Sequence, residues 1–121
     1  MTLPLASAYL RLIQVIHHLE SQGPFQRLDA QSVRLLEIIT VAHTEDRSMT
    51  VSAAMKLSSI ASPASIHRKL EQLRMAGLIT HEFNEGNRRT KYLAPTPLAL
   101  KHFDTVSSEM MKIKSGALDE N

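Results

Sequence analysis

One face of the N-terminal segment is apolar at helical spacing. The stripe consists of Leu5, Tyr9, Leu12, Ile16 and Leu19. Because these positions recur every three or four residues, they predict an amphipathic helix over residues 5–21. The Gly23-Pro24 pair predicts the end of this helix.

Further helices are predicted from capping residues in the central part of the chain. Asp29 precedes a segment that is apolar nearly all round, which is typical of a central core helix. Thr50 can cap a short helix through Leu57. Ser62 followed by Pro63 predicts the start of another helix, which runs to about residue 76. Its expected buried face consists of Ile66, Leu70 and Leu73.

A β-hairpin, called the wing below, is predicted over residues 78–94. Gly77 provides a left-handed end to the preceding helix. Two segments of strand composition flank the turn sequence Asn84-Glu85-Gly86-Asn87, and the second begins at Thr90. Pro95 ends that strand. A short helix, a capped helix and a hairpin in this order indicate a helix-turn-helix arrangement with a wing.

The C-terminal segment carries a second apolar stripe. Thr96-Pro97 repeats the cap-and-proline signal and predicts a helix over residues 97–115. Its stripe consists of Leu100, Phe103, Val106, Met110 and Ile113. Residues 116–121 are expected to form a frayed tail.

Composition is typical of one globular domain spanning residues 1–121, mainly α with a small β-hairpin. The chain has 121 residues, 43% of them hydrophobic and 21% charged. No apolar run reaches the roughly 18 residues of a membrane span, and the N-terminus lacks a basic signal region, so we expect a cytoplasmic protein. The absence of cysteine excludes disulfides, thiolate metal sites and thiol chemistry.

Positive charge is concentrated in the middle of the chain. Residues 48–102 hold eight lysines and arginines against three glutamates, whereas the remainder is slightly acidic. A basic segment that contains a helix-turn-helix predicts a polyanionic partner, double-stranded DNA. The capped helix presents small and hydrogen-bonding side chains suited to a groove, and the wing carries cations near its tip. The candidate DNA-binding residues are Ser62, Ala64, Ser65, His67, Arg68, Lys69, Gln72, Arg88, Arg89 and Lys91.

Residues 28–103 resemble the MarR-type winged helix-turn-helix regulators of bacteria and archaea. The resemblance is carried by Ser62-x-x-Ser65-Ile66-x-Arg68, Leu70-x-x-Leu73-x-x-Ala76-Gly77-Leu78-Ile79, Asn87-Arg88-Arg89 and Leu93-Ala94-Pro95-Thr96. It implies that the capped helix enters the major groove through Ser65, His67 and Arg68. It also implies that Arg88 or Arg89 is the wing contact. The expected DNA-binding core is residues 29–95.

The chain departs from that family in three places. The turn over residues 57–62 is about two residues longer, and Asn87 stands where the family has an acidic wing residue. The C-terminal region has one helix where the family often has two.

The terminal helices are expected to be dimerisation helices, over residues 5–22 and 97–115. Their stripes exceed what a small winged-helix core buries, so we expect a homodimer that binds an inverted repeat. The alternative is that the two helices pack on each other within a monomer. The expected interface residues are Leu5, Tyr9, Leu12, Ile16, Leu19, Phe103, Val106, Met110 and Ile113.

No catalytic or cofactor motif is present in the sequence, so we expect neither an enzyme nor a cofactor. The six histidines are not spaced as metal ligands, and no metal is expected. The sequence does not identify a small-molecule effector. Two other functions fit the same pattern: a replication, plasmid or phage DNA-binding module, and a winged-helix protein-interaction module that does not bind DNA.

Overall fold

The computed structural model describes residues 5–84 and 86–119. Within this part, helices form most of the chain and two strands pair as an antiparallel hairpin. The elements are α1 (Leu5–Glu20), a 3-10 turn (Gly23–Phe25), α2 (Ala30–Thr44), α3 (Val51–Ala54), α4 (Pro63–Met75), β1 (Ile79–Asn84), β2 (Asn87–Pro95) and α5 (Pro97–Asp119). The prediction of a mainly α chain with a small β-hairpin is confirmed.

Side-chain caps begin α2 and α3 where the sequence predicts them. The Asp29 carboxylate accepts a hydrogen bond from the Ser32 amide at 2.7 Å. The Thr50 hydroxyl accepts one from the Ala53 amide at 3.0 Å. Each cap satisfies an amide that has no partner within its helix, so both starts are fixed by local sequence.

Helix α3 ends earlier than predicted, at Ala54 instead of Leu57. The amides of Lys56 and Leu57 bond to the carbonyls of Ala53 and Ala54, three residues back. This is the pattern of a tight turn, and it takes the chain out of the α-helical path.

Helix α5 ends later than predicted. It continues to Asp119, so the expectation of a frayed tail is wrong for residues 116–119. A single glycine costs a helix only about 1 kcal/mol relative to alanine, which a long helix tolerates. Residues 120 and 121 lie outside the described part.

The wing is longer than predicted and is bulged. Strand β2 begins at Asn87, three residues before the predicted Thr90. The register shifts between Glu82 and Asn84, which interrupts the alternation of side chains on β1. Phe83 lies at this shift and is 47% exposed.

The described residues fall into two compact units, one drawn from 1–26 and 100–121 and the other from 27–99. The core lies in the unit of residues 27–99. Its largest fully buried apolar side chains are Leu35, Leu36, Ile39, Ile66, Leu73, Leu78 and Leu93. Helix α2 supplies much of this core, but Val41 on its outer side is 51% exposed, so the expectation that α2 is buried nearly all round is corrected.

The unit of residues 1–26 and 100–121 buries little. Phe25 is its one buried hydrophobic residue in the described part, and its ring stacks on that of His102 at a centroid distance of 4.0 Å. The described side chains of α1, over residues 6–20, are all half-buried or exposed. The apolar stripes of α1 and of α5 beyond Ala99 therefore have no core of their own.

Candidate nucleic-acid interface

Helix α4 has one buried face and one exposed face. Ser62 caps it by accepting a hydrogen bond from the Ser65 amide at 3.3 Å, and Pro63 occupies the first turn. Ile66, Leu70 and Leu73 are buried, as the sequence predicts. Because these residues recur at helical spacing, most of the positions between them are directed away from the core.

The exposed face of α4 carries most of the candidate DNA-binding residues of that helix. Ala64, His67, Arg68 and Gln72 are exposed, and Ser65 is half-buried. The Arg68 guanidinium donates to the Ser65 hydroxyl at 3.4 Å, so the two side chains lie together at the start of the helix. Their role in binding stays a prediction.

Lys69 differs from these neighbours. It is only 8% exposed, and its ammonium donates to the Asp29 carboxylate at 2.7 Å. The hydrogen bond from Lys69 holds the pKa of Asp29 below its usual range, against a smaller opposing effect of burial. The structure therefore directs Lys69 at α2 and not at an outer surface, which corrects its expected place among the DNA-facing side chains.

The N-terminal part of α2 supports α4 at a second point. The side-chain amide nitrogen of Gln31 donates to the backbone carbonyl of Ile60 at 2.8 Å, in the turn that precedes α4. This turn is the one expected to be about two residues longer than in the resembled family. Gln31 thus contacts the turn that precedes α4. Asp29 contacts Lys69 in the middle of α4.

Glu71 and Arg74 form an ion pair that was not predicted from the sequence. The guanidinium donates to both carboxylate oxygens, from Nε at 3.2 Å and from Nη2 at 2.9 Å. The hydrogen bond from Arg74 lowers the pKa of Glu71. Their spacing of three residues on a helix is the signal that could have found the pair.

The wing presents its cations on the surface. Arg89 and Lys91 of β2 are exposed, as expected of residues near the tip of the hairpin, and Arg88 lies beside Arg89 on the same strand. Gly86 in the turn has a positive φ of 82°, which glycine adopts without strain. Glu85 of the same turn lies outside the described residues.

A groove of about 380 Å³ separates α3 and α4 from β2, and we call it the α4–wing groove. Arg89 and Lys91 line it from the wing, and His67 and Glu71 line it from α4. The exposed face of α4 and the cationic strand β2 therefore face one common space. This convergence is what a winged helix needs to contact a duplex with both elements.

His81 on β1 also lines the α4–wing groove. Burial is the main cause that lowers its pKa, and the nearby charges of Lys91 and Arg74 lower it further. Glu71 acts in the opposite direction. An uncharged His81 is therefore favoured beside the cations of the groove.

The described residues contain no group of three or more histidine, aspartate and glutamate side chains that could hold a metal ion. Over the same residues, none of the helices has the length and apolar character needed to cross a bilayer.

A short helix, a capped helix with an exposed polar face and a cationic hairpin together define a winged helix-turn-helix fold. Solved structures place this fold in the MarR-like class. The chain is similar to the Rv1404 protein of Mycobacterium tuberculosis, with a TM-score of 0.64 and 17% identity over 97% of this chain and 76% of that one. It is also similar to a MarR-like transcriptional regulator of Thermotoga maritima, with a TM-score of 0.62 and 12% identity over 98% and 84%.

A third similar structure is that of MarR, with a TM-score of 0.51 and 17% identity over 97% of this chain and 80% of that one. The chain therefore has a MarR-like winged-helix fold, as the sequence resemblance implies. No family model and no curated protein matches the sequence.

Proposed function

We propose that this protein is a transcriptional regulator that binds double-stranded DNA sequence-specifically as a homodimer on an inverted repeat. The observation that carries the proposal is the α4–wing groove, where an exposed polar helix face and the cations of β2 meet. The description of the Thermotoga maritima protein as a MarR-like transcriptional regulator supports it. A non-enzymatic protein of the cytoplasm is the corresponding expectation.

In the proposed complex, α4 enters the major groove. Ala64 is small enough to allow close approach, and Ser65, His67, Arg68 and Gln72 carry groups that hydrogen-bond to base edges. The N-terminus of α4, with Ser62 as its cap, favours a phosphate because the amides there are positively polarised.

In the same complex, the wing contacts the backbone or the minor groove. Arg88, Arg89 and Lys91 are cations on one strand, and arginine is the side chain best suited to a narrow minor groove. Contacts of this kind fix the register of the protein on the duplex, and the base contacts of α4 supply sequence preference.

Dimerisation is supported by the exposure of the terminal stripes. Tyr9 is 63% exposed and Met110 is 45% exposed, although both lie on apolar stripes. Leu100 of the α5 stripe is 38% exposed. The remaining described stripe residues, Leu12, Ile16, Leu19, Phe103, Val106 and Ile113, are half-buried; the side chain of Leu5 lies outside the described part. A second copy would cover these faces. Its recognition helix would then reach a half-site roughly 34–36 Å away.

The salt dependence of duplex binding tests the proposed interface. Affinity for a random duplex, measured by fluorescence anisotropy at several salt concentrations, should fall linearly on logarithmic axes with a slope of about 0.9 per phosphate neutralised. A dimer in which Arg88 and Arg89 are both changed to alanine should lose up to about 3–4 units of that slope.

A matched control removes two positive charges elsewhere. Arg34 and Lys112 each pair with a glutamate on their own helix, outside the α4–wing groove. Their joint change to alanine should alter the slope much less. An unchanged slope in the wing variant would remove the wing from the interface, and no affinity for duplex at low salt would favour a protein-interaction module.

A further inference from the structure

Glu71 is the one acidic residue among the described residues that line the α4–wing groove. Its side chain is 45% exposed, so it is accessible to a ligand in the groove. A carboxylate repels phosphates, and it therefore weakens a site that binds only the DNA backbone. A role that uses its negative charge must involve a hydrogen-bond donor on the ligand.

The Glu71 carboxylate is held in place. Both of its oxygens accept hydrogen bonds from the Arg74 guanidinium, at 3.2 and 2.9 Å. The lowered pKa of Glu71 means that it accepts hydrogen bonds in its ionised form. Because two parallel bonds fix the plane of the carboxylate, less side-chain freedom is lost when a further donor binds.

Glu71 shares a helix face with the proposed base-contacting residues. It follows Arg68 by three positions and His67 by four, and residues at these spacings are neighbours on a helix surface. The separation along the axis is about 4.5–6 Å, which is one to two base-pair steps of B-DNA. If α4 lies in the major groove, Glu71 faces a base pair next to those of His67 and Arg68.

Only some bases can pair with a fixed carboxylate in the major groove. Cytosine offers the N4 amino donor without an acceptor of its own, whereas guanine and thymine offer acceptors and adenine has the N7 acceptor beside its amino group. We propose, on the basis of the function proposed above, that Glu71 is a specificity-determining residue that selects cytosine by accepting a hydrogen bond from its N4 amino group.

The test compares Glu71→Gln with the unchanged protein. Each is used to select duplexes from a random library, and affinities are then measured on the selected site and on a copy with the relevant C·G pair reversed. The unchanged protein should select a cytosine in each half-site. Glu71→Gln should lose this preference, and the affinity ratio between the two duplexes should fall by about 5- to 150-fold.

Glu37→Gln is the matched control, because Glu37 pairs with Arg34 three residues earlier on α2 and lies outside the groove. It removes the same charge and should keep the cytosine preference. Glu71→Ala, checked for folding by circular dichroism, should behave as Glu71→Gln does.

Two outcomes would overturn the inference separately from the proposed function. Selection of the same sequence by the unchanged protein and by Glu71→Gln would mean that the carboxylate only neutralises Arg74. A uniform gain in affinity for all duplexes would mean that it only repels phosphates. A failure of the unchanged protein to bind any duplex would overturn the proposed function, and this inference with it.

Discussion

Asp29 connects two elements through its two carboxylate oxygens. One oxygen caps α2 at the Ser32 amide, and the other accepts the hydrogen bond of the nearly buried Lys69 ammonium. Lys69 lies on α4, forty positions further along the chain. A single aspartate therefore fixes the start of α2 and ties α4 to it.

Asp29→Asn should lower the free energy of unfolding by about 1–2 kcal/mol at pH 7. Asparagine caps helices as well as aspartate does, so the loss of stability measures the charged hydrogen bond from Lys69 alone. The expected value is small because solvent screens the half-exposed Asp29 carboxylate. Because folding lowers the pKa of Asp29, this hydrogen bond contributes fully to stability at pH values above the pKa of the unfolded-state carboxyl, about 4. It disappears as the pH falls through the lower folded pKa.

Urea unfolding of both proteins from pH 7 to pH 2 measures this difference. The control is Asp104→Asn, which makes the same chemical change at an exposed position on α5 and should leave stability within about 0.5 kcal/mol. A difference for Asp29→Asn that stays constant in acid would mean that the Lys69 pair does not stabilise the fold.

His67 and Arg68 are expected to read bases and not merely to hold phosphates. Both are exposed in the first turns of α4. Changing either to alanine should reduce the discrimination between the selected site and random duplex by about 1–3 kcal/mol per lost base contact. Competition binding gives both affinities; if they fall together, these residues contact only the backbone.

The ends of the helices follow local sequence at some points and three-dimensional contacts at others. The cap at Ser62 and the stop at Gly77 were predictable because each depends on a few adjacent residues. The longer β2 was not, because its first residues are defined by pairing with β1 across a bulge. The end of α3 was also missed, although the bonds of its turn are local and join residues three apart.

Replacement by alanine should change the free energy of unfolding in opposite directions at Gly77 and at Gly116. Gly77 has a φ of 76°, and a Cβ there would lie 3.9 Å from Leu98, an ordinary contact. Gly77→Ala should therefore lower the free energy of unfolding by about 1–2 kcal/mol through backbone strain alone. Gly116 lies within α5, where an added Cβ would point into open space, so Gly116→Ala should raise stability by up to about 1 kcal/mol.

Urea unfolding followed by circular dichroism compares the two alanine variants under one set of conditions. Shifts of the same sign would show that backbone conformation does not decide the outcome. The comparison also tests whether α5 is formed at Gly116, where the sequence alone predicted a frayed end.

The elements that form the candidate site were predictable from the sequence, but the contacts between their side chains were not. The exposed face of α4 and the cations of β2 follow from periodicity and charge along the chain. The inward orientation of Lys69 depends on a partner forty residues away, and periodicity on α4 alone does not reveal it. The place of Glu71 opposite Arg89 and Lys91 likewise depends on how the hairpin folds back, which brings residues distant in sequence to one groove.

At the scale of the whole molecule, the distribution of buried residues predicts association. Nearly all of the core belongs to residues 27–99, whereas Leu12 on α1 and Val106 on α5 are only half-buried. We expect both to lie in a dimer interface. Val106→Glu or Leu12→Glu would bury a charge without a partner, which costs several kcal/mol, so each variant should become monomeric or unfold.

Sedimentation of the unchanged protein at micromolar concentration is the direct measurement, with Ser108→Glu as the control because Ser108 is exposed on the same helix. The unchanged protein and the control should sediment at twice the chain mass of 13.5 kDa. A folded Val106→Glu monomer should still bind random duplex weakly but should lose affinity for a full inverted repeat, because one recognition helix no longer positions the other. A stable 13.5 kDa monomer of the unchanged protein would contradict the dimer and the palindromic site together.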